Sequence, residues 1–357
     1  MDAAAAWNWC VRRRQVLFSV GGFAFDLATL DRIDAWLDLG LQAFYLASIS
    51  ALIALQEAER LGRWKPSERW ARAWEFNIDA LHFFYGGLLS AYTVFYGKST
   101  TGLGSMFFLG LVVSLMLANE MPQVQRAGRK LRLGLHAFCS LSFLNYLLPV
   151  LLGRMGWWVF ALALILAAGL SAALIAGLRR FSGSEERPIE LGLPAGGMLA
   201  LIAILYAMHW IPPVPLSLRY AGVFHEVRRE GTEFSLRWEK PPFYAFWRKD
   251  ERAFRSRAGD RIACFVRIFA PTRFTHKVYL HWQHKSGLRW LSSDRIALPV
   301  SGGRNDGYRG WAEKGRFHAG RWRVLVETED GRVIGKRGFK IVDDARTGER
   351  VWKTRLE

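Results

Sequence analysis

The sequence predicts two unlike parts: an α-helical polytopic membrane bundle of about seven spans, followed by an all-β, immunoglobulin-like sandwich. Three observations predict it. Charge is segregated, since residues 1–215 hold 18 Lys+Arg and 14 Asp+Glu, whereas residues 216–357 hold 31 and 17. Residues 157–178 run for 22 positions without a charge, and about 20 apolar residues carry a helix across ~30 Å of hydrocarbon. Beyond Pro215 the long apolar runs give way to short alternating segments punctuated by turn residues.

The whole chain of 357 residues carries a formal charge of +18 and is 51% hydrophobic, with a mean hydropathy of +0.06. That balance excludes disordered, collagenous and coiled-coil classes. Cys10, Cys139 and Cys264 are too scattered for a disulfide framework or a metal set.

Within the helical part, spans are expected near 16–30, 36–55, 81–96, 106–118, 131–152, 157–178 and 198–214. The first follows Arg12, Arg13 and Arg14 and contains Asp26, so it also fits a re-entrant segment or a signal-peptide core. With the N-terminus inside, the inner segments carry 15 basic residues and the outer loops only Arg32, Lys98 and Arg154. Lys and Arg are retained on the cytoplasmic side, which puts the C-terminal domain, residues 216–357, outside the cytoplasm. Gly169, Ala173 and Gly177 recur every four residues and predict a flat face for helix packing, as do Gly86 and Ser90. Asp26, Asp79, His82, Glu120 and His136 are the candidate intramembrane polar site, because ionisable groups near hydrocarbon are costly. The plainer reading is that they cap helix ends and reach headgroup water.

Ile211-Pro212-Pro213-Val214-Pro215 cannot continue a helix and makes a stiff exit. Strands are expected at 217–227, 233–239, 261–269, 276–284, 288–297, 307–314, 321–328 and 332–342. Turns are expected at Glu230-Gly231, Ser286-Gly287, Asn305-Asp306-Gly307 and Asp330-Gly331. In the fourth strand His276, Val278, Leu280 and Trp282 are expected to face one way and Lys277, Tyr279 and His281 the other.

His281-Trp282, Tyr308-Arg309-Gly310-Trp311, Gly320-Arg321-Trp322-Arg323-Val324 and Glu329-Asp330-Gly331 give this part a resemblance to the bacterial domain-of-unknown-function family 2914. Gly22-Phe23-Ala24-Phe25-Asp26, Thr29-Leu30-Asp31-Arg32-Ile33-Asp34 and Asn119-Glu120 resemble the helical half of that family's polytopic members. The resemblance implies the two-part architecture and brings no catalytic residues with it.

The usual catalytic constellations are missing, with no nucleophile elbow, phosphate loop, His-Glu-x-x-His or paired-cysteine site, so nothing specific supports an enzyme and the expectation leans against one. His281 and His284 are three apart, which on a strand sets them on opposite faces and disfavours a shared metal. No cofactor or metal is expected. Gly302, Gly303 and Arg304 lie in a glycine-rich stretch that suits either an anion cradle or a flexible hairpin connection. The segment Lys240-Pro241-Pro242-Phe243-Tyr244-Ala245-Phe246-Trp247-Arg248-Lys249 is stiffened by proline, aromatic, and basic at its flanks. Phe243, Tyr244, Phe246, Trp247, Arg248 and Lys249 are therefore the candidate membrane or ligand contacts, the alternative being a lid that closes one open end of the sandwich. The expected function is that of an inner-membrane protein whose basic outer domain binds an anionic glycan, a glycolipid or lipid headgroup, or an acidic envelope protein. Nucleic acid is not an expected partner on that side of the membrane. The alternatives are a transporter or channel using Asp26, Asp79, His82 and Glu120, or a membrane-embedded enzyme.

Overall fold

The computed structural model describes residues 23–24, 26–30, 32–121, 128–182, 188–271, 274–301, 307–346 and 348–357. The chain divides into two units, Met1–Lys98 with Gly102–Val214, and Ser99–Thr101 with Pro215–Glu357. In the first unit the described helices are α1 (Trp36–Arg60), α2 (Glu68–Trp74), α3 (Asn77–Lys98), α4 (Leu103–Asn119), α5 (Arg129–Leu152), α6 (Trp157–Ser182) and α7 (Pro188–Ala207). Residues 26–29 are helical as well.

Four of these, not seven, are long and apolar enough to cross a membrane: α1, α5, α6 and α7. The expected spans at 81–96 and 106–118 fail for different reasons. Helix α3 has 22 residues but dilutes its apolar content with Asp79, His82, Ser90 and Thr93. Helix α4 is apolar but has 17 residues, about 26 Å at 1.5 Å per residue. The expected span at 16–30 falls mostly outside the described residues. The last span starts ten residues and ends seven residues earlier than expected, α7 running from Pro188 to Ala207. There His209 adopts a left-handed φ of 57°, and the Trp210 N–H reaches back to the Leu205 carbonyl at 2.9 Å. That bond closes a Schellman-type end, and Pro212 and Pro213 bar any restart.

Helices α1 and α5 run antiparallel and are joined along their length by polar contacts. The Tyr146 hydroxyl donates to Gln42 Oε1, and Ser50 Oγ meets His136 Nε2 at 2.8 Å. Further along, Arg132 donates to Gln56 Oε1 at 2.5 Å and Arg129 to Glu57 Oε1 at 2.6 Å. From Gln42 to Glu57 this seam covers about 22 Å of helix. One end of the unit is basic. Arg60 and Arg129 share Glu57, Arg63 donates to the Arg180 carbonyl, and Lys130, Arg132 and Arg179 belong to the same helix ends.

The expected glycine face of α6 is largely open: Gly169 and Ala173 are exposed and Gly177 is half-buried, and nothing lies within 4 Å of a Cβ built on either glycine. Its buried face is Ala163, Ala167 and Ser171, the same four-residue rhythm rotated around the helix. Around Gly86, by contrast, Asn119 Nδ2 and Glu120 Oε1 come to 3.6 Å of a notional Cβ.

The second unit holds three sheets, ordered β1-β5-β8, β4-β10-β9-β6-β7 and β11-β3-β2. Their strands are β1 (Ser217–Phe224), β2 (Glu226–Glu230), β3 (Glu233–Glu239), β4 (Ala253–Ser256), β5 (Ile262–Phe269), β6 (Thr275–Ser286), β7 (Arg289–Ser301), β8 (Tyr308–Lys314), β9 (Gly320–Thr328), β10 (Val333–Asp343) and β11 (Trp352–Leu356). All pairings are antiparallel except β4 with β10. Ser99 and Thr101 join this unit by donating to the carbonyls of Leu216 (2.8 Å) and Val333 (2.9 Å).

Alternation fixes which faces are buried. Val278, Leu280 and Trp282 on β6 and Val324 and Val326 on β9 are fully buried. A second cluster gathers Phe224, Phe234, Leu236, Trp238 and Phe265 between the first and third sheets. Close approach is purchased by glycine at Gly335, where a Cβ would stand 2.0 Å from the Leu218 side chain. Gly231, Gly287, Gly307 and Gly331 have positive φ at the four expected turns. Cys264 lies in the core, and burial pushes its thiol up to about 12.

Three strands were not expected. The expected strand 217–227 divides after Phe224 into β1 and β2, β4 is four residues long and completes the sheet edge, and β11 sets Lys353 and Arg355 between Trp352, Thr354 and Leu356. Charge pairing holds that last segment in place. Arg350, nearly buried, donates to both carboxylate oxygens of Asp260 at 3.0 and 2.7 Å. Burial works to raise the Asp260 carboxyl, but the bonds from Arg350 and from the Arg257 N–H outweigh it and hold the group below its ordinary value. A depressed folded-state value contributes stability that is present above about pH 4 and is lost as pH falls through the folded value. Asp260→Asn is expected to cost on the order of 1 kcal/mol at pH 7, a figure reduced for solvent access. The difference in thermal midpoint from the parent protein should narrow progressively as pH falls below about 4. A difference that does not narrow with falling pH would show that the carboxylate charge is not what anchors β11.

Candidate functional site

The proline pair Pro241-Pro242 ends β3 and turns the chain into a single 3-10 turn, Phe243–Ala245. Ala245 is buried and pins the turn: its N–H donates to the Pro242 carbonyl, and the Arg248 N–H donates to its own, both at 2.9 Å. Everything around that anchor points outward. Phe243, Tyr244, Phe246 and Trp247 are 62–89% exposed, paired edge-to-face as Phe243–Tyr244 and Phe246–Trp247. Four exposed rings within five residues form an apolar knuckle, where large aromatics are normally interred.

Behind the knuckle lies a pocket of about 390 Å³ lined by Tyr220, Trp247, Arg248, Lys249, Asp250, Arg252 and Arg337. Arg337 is paired with Asp250. The side chains of Arg248, Lys249 and Arg252 have no acidic partner among the described residues. Tyr220 donates its hydroxyl to the Lys249 carbonyl at 3.3 Å. Burial, assisted by the Asp250 charge, pushes that hydroxyl above its ordinary range, so it stays a proton donor. The pocket thus offers three unpaired cations, a neutral phenol and an indole wall. This chemistry suits an anion carried on a flat or ring-shaped body. Trp247, Arg248 and Lys249 were legible as candidates; Tyr220, Arg252 and Arg337 were not, since three separate strands and loops bring them in.

The sequence-predicted intramembrane residues do not converge. His82 Nδ1 bonds Asn119 Oδ1 at 2.7 Å, and the Asn119 amide donates to the His82 carbonyl at 2.9 Å. Glu120, at the C-cap of α4, lies beside them across Gly86. Asp26 instead accepts from Ser90, eight residues further along α3. His136 bonds Ser50 on α1, and Asp79 is exposed. Only His82 and Glu120 are brought close, by way of Asn119. Gly302, Gly303 and Arg304 lie outside the described residues, so the anion-loop expectation has no structural counterpart. Among the described residues no group of three His, Cys, Asp or Glu side chains is placed to hold a metal ion.

Comparison with known proteins adds a single assignment. No curated protein matches the chain. A solved structure, that of Pseudomonas fluorescens alkylpurine DNA glycosylase AlkC bound to DNA containing an abasic site analog, aligns over 85% of this chain and 97% of its own. Its identity of 9% and TM-score of 0.19 are too low to carry any argument. The motifs Gly22–Asp26, 29–34 and Asn119-Glu120 lie outside the region that a family model matches. Residues 275–341, from the start of β6 into β10, match the model described as Protein of unknown function (DUF2914), the family that the β-strand motifs resemble.

Proposed function

We propose that the chain is a bacterial integral inner-membrane protein that displays an immunoglobulin-like β-sandwich on the outer face. There it binds an anionic envelope ligand, a glycan, a lipid headgroup or an acidic protein, in envelope assembly or maintenance. The observation that carries the reading is the pocket in which Arg248, Lys249 and Arg252 stand without acidic partners beside Trp247. Unpaired cations at a ring-walled concavity attract and orient anions. Sidedness is supported by the basic end of the helical unit, because that end suits the cytoplasmic face. Helix α7 follows α6 from the basic end and finishes at the other, where Pro212 and Pro213 release the chain. The exposed knuckle fits a site that works close to headgroups, where aromatic rings settle.

Two measurements test this. A periplasm-active reporter fused after Leu216 should be active and a cytoplasm-active one silent; the reverse pattern would overturn the sidedness. The solubilised full chain, titrated with oligogalacturonate, should bind in a salt-sensitive way. The double substitution Arg248→Glu and Lys249→Glu should weaken binding at least tenfold, about 1.4 kcal/mol. Unchanged affinity would remove the pocket from the proposal.

A further inference from the structure

The solvent face of the five-stranded sheet carries a second arrangement, remote in sequence from the knuckle and inside the family-matched region. His281 on β6 stands between Ser292 on β7 and Glu327 on β9. Its Nε2 is 2.8 Å from Ser292 Oγ, and its Nδ1 is 3.3 Å from Glu327 Oε2. The serine is exposed, the imidazole partly buried and the carboxylate almost wholly so. This ordering runs from an accessible hydroxyl to an interred acid.

Each member is held from outside. Glu327 also accepts from Arg295 Nε at 2.7 Å. That guanidinium is fixed by the carbonyls of Thr328 and Glu329, at 3.2 Å each, and by the Tyr279 ring at 3.9 Å. A carboxylate at Nδ1 places the proton on that nitrogen and leaves Nε2 free to accept from the serine hydroxyl. A bulge re-aims the nucleophile. Trp282 pairs with Asp294 and Gln283 with Ser292, so Ser293 is the extra residue. The same bulge sets the Gln283 amide nitrogen 3.3 Å from His281 Nε2, with its oxygen tied to Arg323 Nε at 2.8 Å. Arg323 in turn lies over the Trp290 ring at 4.3 Å, on the same strand as Ser292 and two residues away.

We propose that Ser292, His281 and Glu327 form a nucleophilic site that cleaves carboxylic esters. Ser292 Oγ attacks the acyl carbon and passes its proton to His281 Nε2, while Glu327 holds the imidazolium that forms. The Gln283 amide N–H donates to the carbonyl oxygen as it gains negative charge. The C–O bond to the alcohol breaks, and the alcohol leaves with the proton from His281. Water then attacks the acyl-serine, its proton going to His281 and on to Ser292 Oγ, which releases the carboxylic acid and restores the site. Trp290 and Arg323 form one wall, suited to a ring or to a polar group next to the ester. Ser292 and His281 are the catalytic residues, and Glu327 is a positioning residue. The readings of this site and of the basic pocket rest on different residues, and either stands without the other.

The test uses the solubilised full chain with p-nitrophenyl acetate and a fluorophosphonate probe. The probe loses fluoride as a bond forms from Ser292 Oγ to phosphorus, and mass spectrometry should place the adduct on Ser292. Ser292→Ala should abolish labelling, and both Ser292→Ala and His281→Gln should lower ester turnover by about 10³-fold. Ser292 is exposed, so its alanine variant should keep the parent's thermal midpoint and separate loss of chemistry from loss of fold. Glu327→Gln should lower kcat with KM unchanged, an outcome that a merely structural role would not give. An unlabelled parent protein, an adduct elsewhere, or equal turnover by Ser292→Ala would overturn the proposal.

Discussion

Trp282→Ala is expected to cost the β unit about 3–5 kcal/mol, the range for emptying a buried aromatic site. Trp282 is the largest of the fully buried side chains. It sits on β6, an inner strand between β9 and β7, edge-on to Phe339 of β10 at 6.2 Å, and its neighbours Leu280 and Val324 are equally inaccessible. Those groups are held by strands on both sides and have little freedom to collapse into the space. Urea unfolding of the solubilised protein, followed by near-UV circular dichroism, reads the loss. A shift below 1 kcal/mol would show that the five-stranded sheet is not packed around this indole. A companion substitution separates volume from polarity. Trp282 Nε1 is buried with no hydrogen-bond partner among the described residues, and such an orphan donor costs about 1–3 kcal/mol. Trp282→Phe removes that donor while keeping a ring, so it should cost far less than the alanine variant.

The second large effect belongs to the helical unit. Glu57 is almost wholly buried and accepts from Arg60 at 2.7 Å and from Arg129 at 2.6 Å. Removing one member of a buried ion pair leaves the other uncompensated, at about 3–5 kcal/mol. Arg60 is more than half exposed and can turn to water, and Arg129 retains some access. The expected cost of Glu57→Ala is therefore about 2–3 kcal/mol. Glu57→Gln keeps one acceptor oxygen and should recover part of it. The readout is the thermal midpoint of the protein in detergent; an alanine variant equal to the parent would mean that Arg129 does not depend on Glu57.

The two-part plan was legible because it rests on composition, and charge and hydropathy change together at Pro215. Strand positions were legible wherever an alternating apolar face met a glycine turn, as at Ser286-Gly287 and Asp330-Gly331. Strand β11 escaped because it is only five residues long, buries none of them, and is held by ion pairs around it instead of a core, so Trp352–Leu356 offers too short an alternation to read. Span counting overreached at α3, whose apolar run is interrupted by Asp79, His82, Ser90 and Thr93, and at α4, whose apolar run stops at 17 residues. The open face of α6 shows another limit: small residues recur every fourth position on two sides, and only packing selects Ala163, Ala167 and Ser171. The knuckle was visible because its residues are contiguous. The serine, histidine and glutamate of the sheet face come from three strands and have no shared spacing. Such constellations are recognised by geometry alone. The one signal in the sequence was that His281 faces away from Trp282, which put an imidazole on the solvent side.

The polar seam between α1 and α5 bears on how the protein is made. Ser50, Gln56 and Glu57 have their long-range partners on a helix that begins at Arg129, about 70 residues later in translation. Until that helix emerges from the ribosome, Gln42 and Ser50 lack their α5 partners and Glu57 has only Arg60 of its own helix, which is costly near hydrocarbon. Helix α1 is thus a segment that the insertion machinery must shelter, or release only as a pair with α5. When the two do meet, antiparallel order allows a single alignment. Sliding one helix past the other by a turn would break all four contacts together. The seam that joins the finished helices therefore also acts as a checkpoint during their assembly.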